Sequence, residues 1–167
     1  IRRQRQMCIR DRSPQVLSNL LWAAFGINRP DGHRTAPSAS NRQEIDIYVA
    51  SADGLYLYDA KANQLKQILA EDIRALTGTQ AFVKDAAINL VYVADLAKAG
   101  RTDPAAFEFY SGADTGFISQ NVYLFCASEG LATVVRASVD KTALGKAMKL
   151  RPDQKIVFAQ SVGYPKK

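Results

Sequence analysis

Ile88-Asn89-Leu90-Val91-Tyr92-Val93 is a nearly continuous run of apolar and β-branched residues. A strand with one wet face alternates apolar and polar side chains; a run without alternation marks a strand buried on both faces. Such a strand belongs in the middle of a sheet and needs a covering layer on each side.

Upstream of it, Ile45, Ile47 and Val49 alternate with Asp46, Tyr48 and Ala50, which reads as a second strand. Ser51-Ala52-Asp53-Gly54 is a turn, and residues 55–58 form the partner strand, because Asp-Gly is a strong hairpin signal. Residues 65–69 read as an extension into a short connection. Residues 71–76 read as a helix ended near Gly78, and 80–87 as a second short helix. Further upstream, Ser13-Pro14 opens a helix: a hydroxyl cap, then proline where a missing N–H costs nothing. Val16, Leu17, Leu20, Leu21, Ala24 and Phe25 follow at helical spacing, and Gly26 supplies the stop. Residues 28–41 form a polar loop.

Downstream, residues 97–111 read as a loop of small residues around Gly100 and Pro104. Residues 113–131 read as a long helix with Phe117, Ile118, Val122, Phe125 and Cys126 on a broad apolar face. Residues 133–136 read as a strand. Asp140 caps a helix running to Leu150, Pro152 follows its end, and residues 156–162 form the last strand. The order predicts an α+β fold, a mixed sheet sandwiched by helices with one long central helix.

The first twelve residues, Ile1-Arg2-Arg3-Gln4-Arg5-Gln6-Met7-Cys8-Ile9-Arg10-Asp11-Arg12, show no amphipathic period. Met7 to Arg12 matches what one frame of a common sequencing-transposon end encodes. The segment 1–12 is read as adapter-derived and set aside from fold reasoning; the other reading is a natural basic arm. The chain has 22 Lys+Arg against 16 Asp+Glu, a formal charge of +6. Five Arg and one Asp lie in residues 1–12, so residues 13–167 carry 17 against 15. The basic pI therefore gives little reason to expect nucleic acid or a membrane surface as partner. No run of about 18 apolar residues exists, so no membrane span is expected. Without Cys8 only Cys126 remains, which excludes a disulfide framework and zinc spacing.

No hydrolytic constellation appears. His33 is the only histidine and lies in the polar loop; Ser38 and Ser40 lack a His/Asp set at recognisable spacing. No metal-ligand pattern and no Gly-x-Gly-x-x-Gly after a strand is present. No catalytic side chain is therefore assigned. Chemistry supplied by a cofactor would explain that, since the protein then provides binding, orientation and electrostatics. So would a binding module.

Three segments resemble, in order, the flavin-binding nitroreductase family: Thr35-Ala36-Pro37-Ser38-Ala39-Ser40-Asn41-Arg42-Gln43, Gln120-Asn121-Val122-Tyr123-Leu124 and Glu129-Gly130-Leu131-Ala132-Thr133-Val134-Val135. The resemblance runs from about Ser13 to the end, and makes 13–167 a partial domain of that type. It implies FMN at a homodimer interface, with NAD(P)H and a small organic molecule as substrates and a cytoplasmic enzyme. Pro37, Ser38, Ala39 and Asn41 would touch the flavin held mainly by the other subunit. Residues Val135, Arg136 and Ala137 would line the flavin, a backbone N–H near Ala137 reaching N5. Gln80 would meet the pyrimidine end, and Arg34 and Lys166 would offer charge to the phosphate. Two departures stand out. Many relatives continue Gln-Pro-Trp where this chain has Gln43-Glu44-Ile45, which resembles the branch containing azoline-oxidising enzymes of peptide biosynthesis. The family's phosphate-clasping Arg-x-Ser-x-Arg segment is replaced by the adapter-like residues, so the chain reads as N-terminally truncated. The alternatives are thus an azoline-type dehydrogenase of peptide-derived products and a degenerate, flavin-free dimeric scaffold.

Overall fold

The computed structural model describes residues 7–8, 14–100 and 102–165. Its strands are β1 (Met7–Cys8), β2 (Ile45–Ser51), β3 (Gly54–Asp59), β4 (Gln64–Leu69), β5 (Ile88–Asp95), β6 (Ala132–Arg136) and β7 (Gln154–Pro165). Its helices are α1 (Pro14–Phe25), α2 (Leu96–Ala99), α3 (Pro104–Ser128) and α4 (Lys141–Ala147), with 3-10 turns at Ala39–Asn41, Arg74–Thr77 and Ala81–Lys84. The sheet runs β1-β7-β5-β2-β3-β4, and β6 also pairs with β7. Every one of these pairs is antiparallel. Within the segment read as an adapter-derived arm, Met7 and Cys8 pair with Pro165 and Tyr164.

All eight residues of β5 are buried. Ile88, Leu90, Tyr92 and Ala94 join one core with Leu20, Leu21 and Phe25 of α1 and Ile118 and Val122 of α3. Val91 and Val93 face a second core with Tyr48, Leu55, Leu144, Met148 and Ile156. Each large apolar side chain so buried contributes about 1.5–3 kcal/mol. The sheet is thus covered on both faces and the expected α+β class holds, but among the described residues the sheet is antiparallel throughout, not mixed as expected.

Five elements differ from the sequence expectation. Residues 64–69 form an edge strand, not a connection; exposed Gln64, Lys66 and Gln67 blunt that edge and hide the strand pattern. The two helices expected at 71–76 and 80–87 are single 3-10 turns, separated by extended Gly78. Each of these segments buries one large apolar anchor, Ile73 and Val83, too little to hold a longer helix. The expected loop at 97–111 is helical at both ends. Asp95 caps α2, and Asp103 caps α3 by accepting from Ala105 and Ala106 N–H, with Pro104 at the first position. The C-terminal end of α4 comes at Ala147, before the expected Leu150.

The expected apolar face of α3 divides between interior and surface. Ile118, Val122 and Cys126 are buried and Phe125 packs against the core, while Phe117 is 50% exposed; Phe109 and Leu124, outside the expected face, are 71% and 61% exposed. No helix among the described residues is long and apolar enough to cross a membrane.

Asp103→Ala removes the acceptor for two orphan N–H groups of α3. The expected outcome in urea unfolding is a loss of about 0.5–2 kcal/mol with an unchanged m-value.

Candidate functional site

The polar loop between α1 and β2 is held in an unusual conformation. Ser40, Asn41 and Gln43 all have positive φ, at 55°, 50° and 52°. Left-handed backbone costs a non-glycine residue energy, Asn least, so surrounding contacts must hold it. Gln43 supplies most of them. Its N–H donates to Ser38 Oγ at 2.9 Å, and its Nε2 donates to Gly32 O and Asn41 Oδ1, both at 3.0 Å. Its Oε1 accepts from Arg34 Nε at 2.8 Å. Ala39 N–H donates to Asp114 Oδ2 on α3 at 2.9 Å, which ties the loop to the long helix. The motif residues Pro37 to Asn41 are left half-buried or exposed on the outside of this clasp.

Arg34 is part of the clasp. Its guanidinium lies 4.3 Å from the centre of the Phe25 ring, and Nη1 donates to Phe25 O. Burial draws its pKa down, partly offset by Asp46, Tyr58 and Asp59. Lys166 lies outside the described residues. His33 is engaged at the surface with Asp31, at 2.9 Å.

A second cluster forms where β6 ends. Arg136 is the last paired residue of β6, opposite Ala159, so exposed Ala137 stands just past the ladder. Thr79 N–H donates to Ser138 O at 3.1 Å, which brings the Gln80 turn against this strand end. Arg136 is 6% exposed. Its Nη1 donates to Thr77 O at 2.7 Å, and its Nη2 to Asn89 Oδ1 at 2.9 Å and Ser161 Oγ at 2.7 Å. All three acceptors are neutral, and burial pulls the guanidinium pKa down to about 10. Val135 N–H is taken by the Tyr123 hydroxyl at 2.9 Å.

The predicted residues therefore assemble as two groups: Arg34 with Pro37, Ser38, Ala39 and Asn41, and Gln80 with Val135, Arg136 and Ala137. Helix α3 separates them. Asp114 anchors the first and Tyr123 the second. Nine residues of helix place these anchors about 13 Å apart along the axis and on opposite sides. Sequence reasoning missed Gln43, Asp114, Asn89 and Ser161, which hold the groups in place. Only the polar Asn89 inside the apolar β5 run offered a signal.

A flavin ring fits the second group. Gln80 Oε1 is a buried acceptor without a partner, and Arg136 Nε a buried donor without one. An unmet buried acceptor costs about 1–3 kcal/mol, and the pyrimidine N–H of an isoalloxazine is a donor of the needed kind. For the phosphate, Arg34 is already committed at Nε and Nη1. Among the described residues no cluster of His, Cys, Asp and Glu could hold a metal ion. A cavity of about 440 Å³ opens elsewhere, between α3, α4 and the start of β7, and none of the predicted residues lines it.

Residues 13–164 match the nitroreductase family profile, and the chain belongs to that family. It is 31% identical over 140 residues to a Methanocaldococcus jannaschii protein described as a nitroreductase, covering 78% of this chain and 71% of that one. A crystal structure described as a nitroreductase of Ralstonia eutropha JMP134 superposes with a TM-score of 0.92 at 38% identity, over 98% of this chain and 78% of that one. A chain of the Escherichia coli microcin synthetase McbBCD complex, with truncated pro-MccB17 bound, shares the fold. It has a TM-score of 0.85 at 20% identity, over 97% of this chain and 68% of its own. So does the NADPH:FMN oxidoreductase of Vibrio harveyi complexed with NAD+, at 0.71 and 19%, over 98% and 64%. The fold is that of an oxidoreductase family.

Asp114→Ala leaves the Ala39 N–H without its acceptor and frees the strained loop. The expected outcome is faster tryptic cleavage after Arg42 and a loss of about 1–3 kcal/mol in urea unfolding; cleavage at the wild-type rate would show that Asp114 does not hold the loop.

Proposed function

We propose that this chain is an FMN-dependent oxidoreductase that carries reducing equivalents between NAD(P)H, or an organic donor, and a small organic acceptor. The observation that carries the reading is the buried, partnerless Oε1 of Gln80 beside the exposed end of β6, in a chain of the nitroreductase family. A bound flavin supplies the redox chemistry by taking up and releasing a hydride at N5.

The chain's own residues have three tasks in this reading. Gln80 Oε1 accepts a hydrogen bond from the ring's pyrimidine N–H. The Ala137 N–H, past the end of the β6 ladder, serves the N5 edge, and the small side chains of Ala137 and Ser138 leave room for a ring to approach. Val135 and Arg136 hold that backbone in place. Arg34 and Lys166 are the cations proposed for the phosphate.

Pro37, Ser38, Ala39 and Asn41 complete the site from a second copy. The separation across α3 supports this, because one protomer presents the two groups on opposite sides of its long helix. The exposed Phe109, Phe117 and Leu124 of α3 support a homodimer, since burying them in a symmetric contact removes apolar surface from water. Glu44, in the place where many relatives have proline, favours a second reading in which the donor is an azoline ring of a peptide. Bleaching of the flavin by an azoline peptide but not by NADH or NADPH would select it.

The protein loaded with FMN is expected to be yellow and to bleach on adding NADH or NADPH. Asn41→Leu is expected to raise the FMN dissociation constant about threefold to tenfold, the loss of one hydrogen bond. Flavin fluorescence titration reads both variants. No saturable binding by the wild type would replace the enzyme by the flavin-free scaffold. In sedimentation equilibrium at micromolar concentration the expected mass is that of a dimer, and a monomer would contradict the shared site.

A further inference from the structure

The segment from Thr77 to Val83 carries Gln80 at its middle and is secured at both ends by one buried polar network. At one end Thr77 O accepts from Arg136 Nη1 at 2.7 Å. At the other, Val83 O accepts from Asn89 Nδ2 at 2.7 Å. Asn89 Oδ1 in turn accepts from Arg136 Nη2 and from the Ser161 hydroxyl. Thr77, Asn89 and Ser161 are each 0% exposed, so no water competes for these bonds. The Arg136 guanidinium also lies 5.7 Å from the centre of the Phe82 ring, within the same segment.

Gly78 fits this arrangement for a steric reason. A Cβ there would come within 2.1 Å of Arg136 Nη1, 3.0 Å of Val83 Cγ1 and 3.1 Å of Gln80 Oε1. Its φ is 176°, extended backbone that any residue adopts. The penalty of a side chain at this position therefore comes from collision with the guanidinium and its neighbours, not from backbone strain.

We propose that Arg136 is a positioning residue rather than a ligand of the cofactor: its guanidinium, seated in the space that Gly78 leaves open, clamps residues 77–83 so that Gln80 Oε1 is presented to the flavin beside Ala137. This rests on the flavin reading above. Arginine suits the task because its planar fork reaches a turn, β5 and β7 at once; a lysine has one ammonium and cannot span the same acceptors. Three neutral acceptors without a carboxylate make the site intolerant of a misplaced guanidinium, because a displaced charge would have no partner nearby.

A double-mutant cycle tests this. Gly78→Ala pushes the guanidinium aside without deleting a donor; Arg136→Met deletes the donors; the third variant carries both. FMN affinity is read by fluorescence titration, fold stability by urea unfolding without FMN, and the clamp by hydrogen exchange at the Thr79, Val83 and Asp85 amides without FMN. The expected result is a rise of about tenfold in dissociation constant for Gly78→Ala, the size of a lost hydrogen bond to the cofactor. Those amides should lose protection in the same variant. In the Arg136→Met background, adding Gly78→Ala should change both readouts much less than it does in the wild type, because the 2.1 Å collision is gone and only the looser contacts with Val83 Cγ1 and Gln80 Oε1 remain. Arg136→Lys should not rescue affinity. A merely structural role would lower the urea midpoint and leave the affinity of the folded fraction unchanged, which overturns the proposal. Wild-type affinity in Gly78→Ala, or additive effects in the double variant, would overturn it as well. If the wild type binds no FMN, the flavin reading fails, and the exchange data alone decide whether the clamp exists.

Discussion

A strand with no face left for solvent dictates the arrangement around it. Every residue of β5 is buried, so the chain must supply a layer on each side of the sheet. It does so with α1 and α3 on one face and with α4 and the Ile73 segment on the other. Neighbouring strands β2 and β7 pair along its two edges, from Ile45 to Ala50 and from Gln154 to Val162. Apolar burial drives this arrangement. The same burial makes any polar group in it demanding, since each must find a partner inside.

Several polar groups that enter this interior find partners there, and these partnerships shape the surface. Asn89 interrupts the apolar run of β5 and joins Ser161 of β7 and Arg136 of β6. On the other side of the sheet, the Tyr92 hydroxyl donates to Gln160, whose Nε2 donates to Thr133 Oγ1. The first network reaches outward to the turn bearing Gln80. A central strand that appears purely structural thus sets the position of a group at the rim. The loop from Pro37 to Asn41 is governed differently, by strained backbone held from outside the sheet through Gln43 and Asp114.

The legible parts of the fold were those in which one local signal suffices. The Asp53-Gly54 turn, the helix start at Pro14 and the unbroken β5 run each specify an element from neighbouring residues, while Ser13, the expected cap, lies outside the described residues. Where the result depends on distant packing, the pattern misleads. Strand β4 looks like a connection because its outward side chains are polar, and pairing with β3 is what makes it a strand. The first turns of α3 look like loop because of the small residues around Gly100 and Pro104, yet Phe107 and Ser111 bury one side. The candidate site was legible as three segments in order, through resemblance. Their division into two groups was not, because it follows from which face of α3 each anchor occupies. Gln43 was visible only as part of the first segment and Gly78 only as a helix stop; the clasp and the open space they provide appear only with the side chains that surround them.

The most direct test of the account is a crystal structure of the protein grown with saturating FMN. One flavin is expected between two protomers, with Gln80 Oε1 and the Ala137 N–H of one protomer at the ring and Asn41 of the partner subunit across from them. A flavin enclosed by a single protomer, a flavin seated away from Ala137, or a site without flavin at saturation would contradict it.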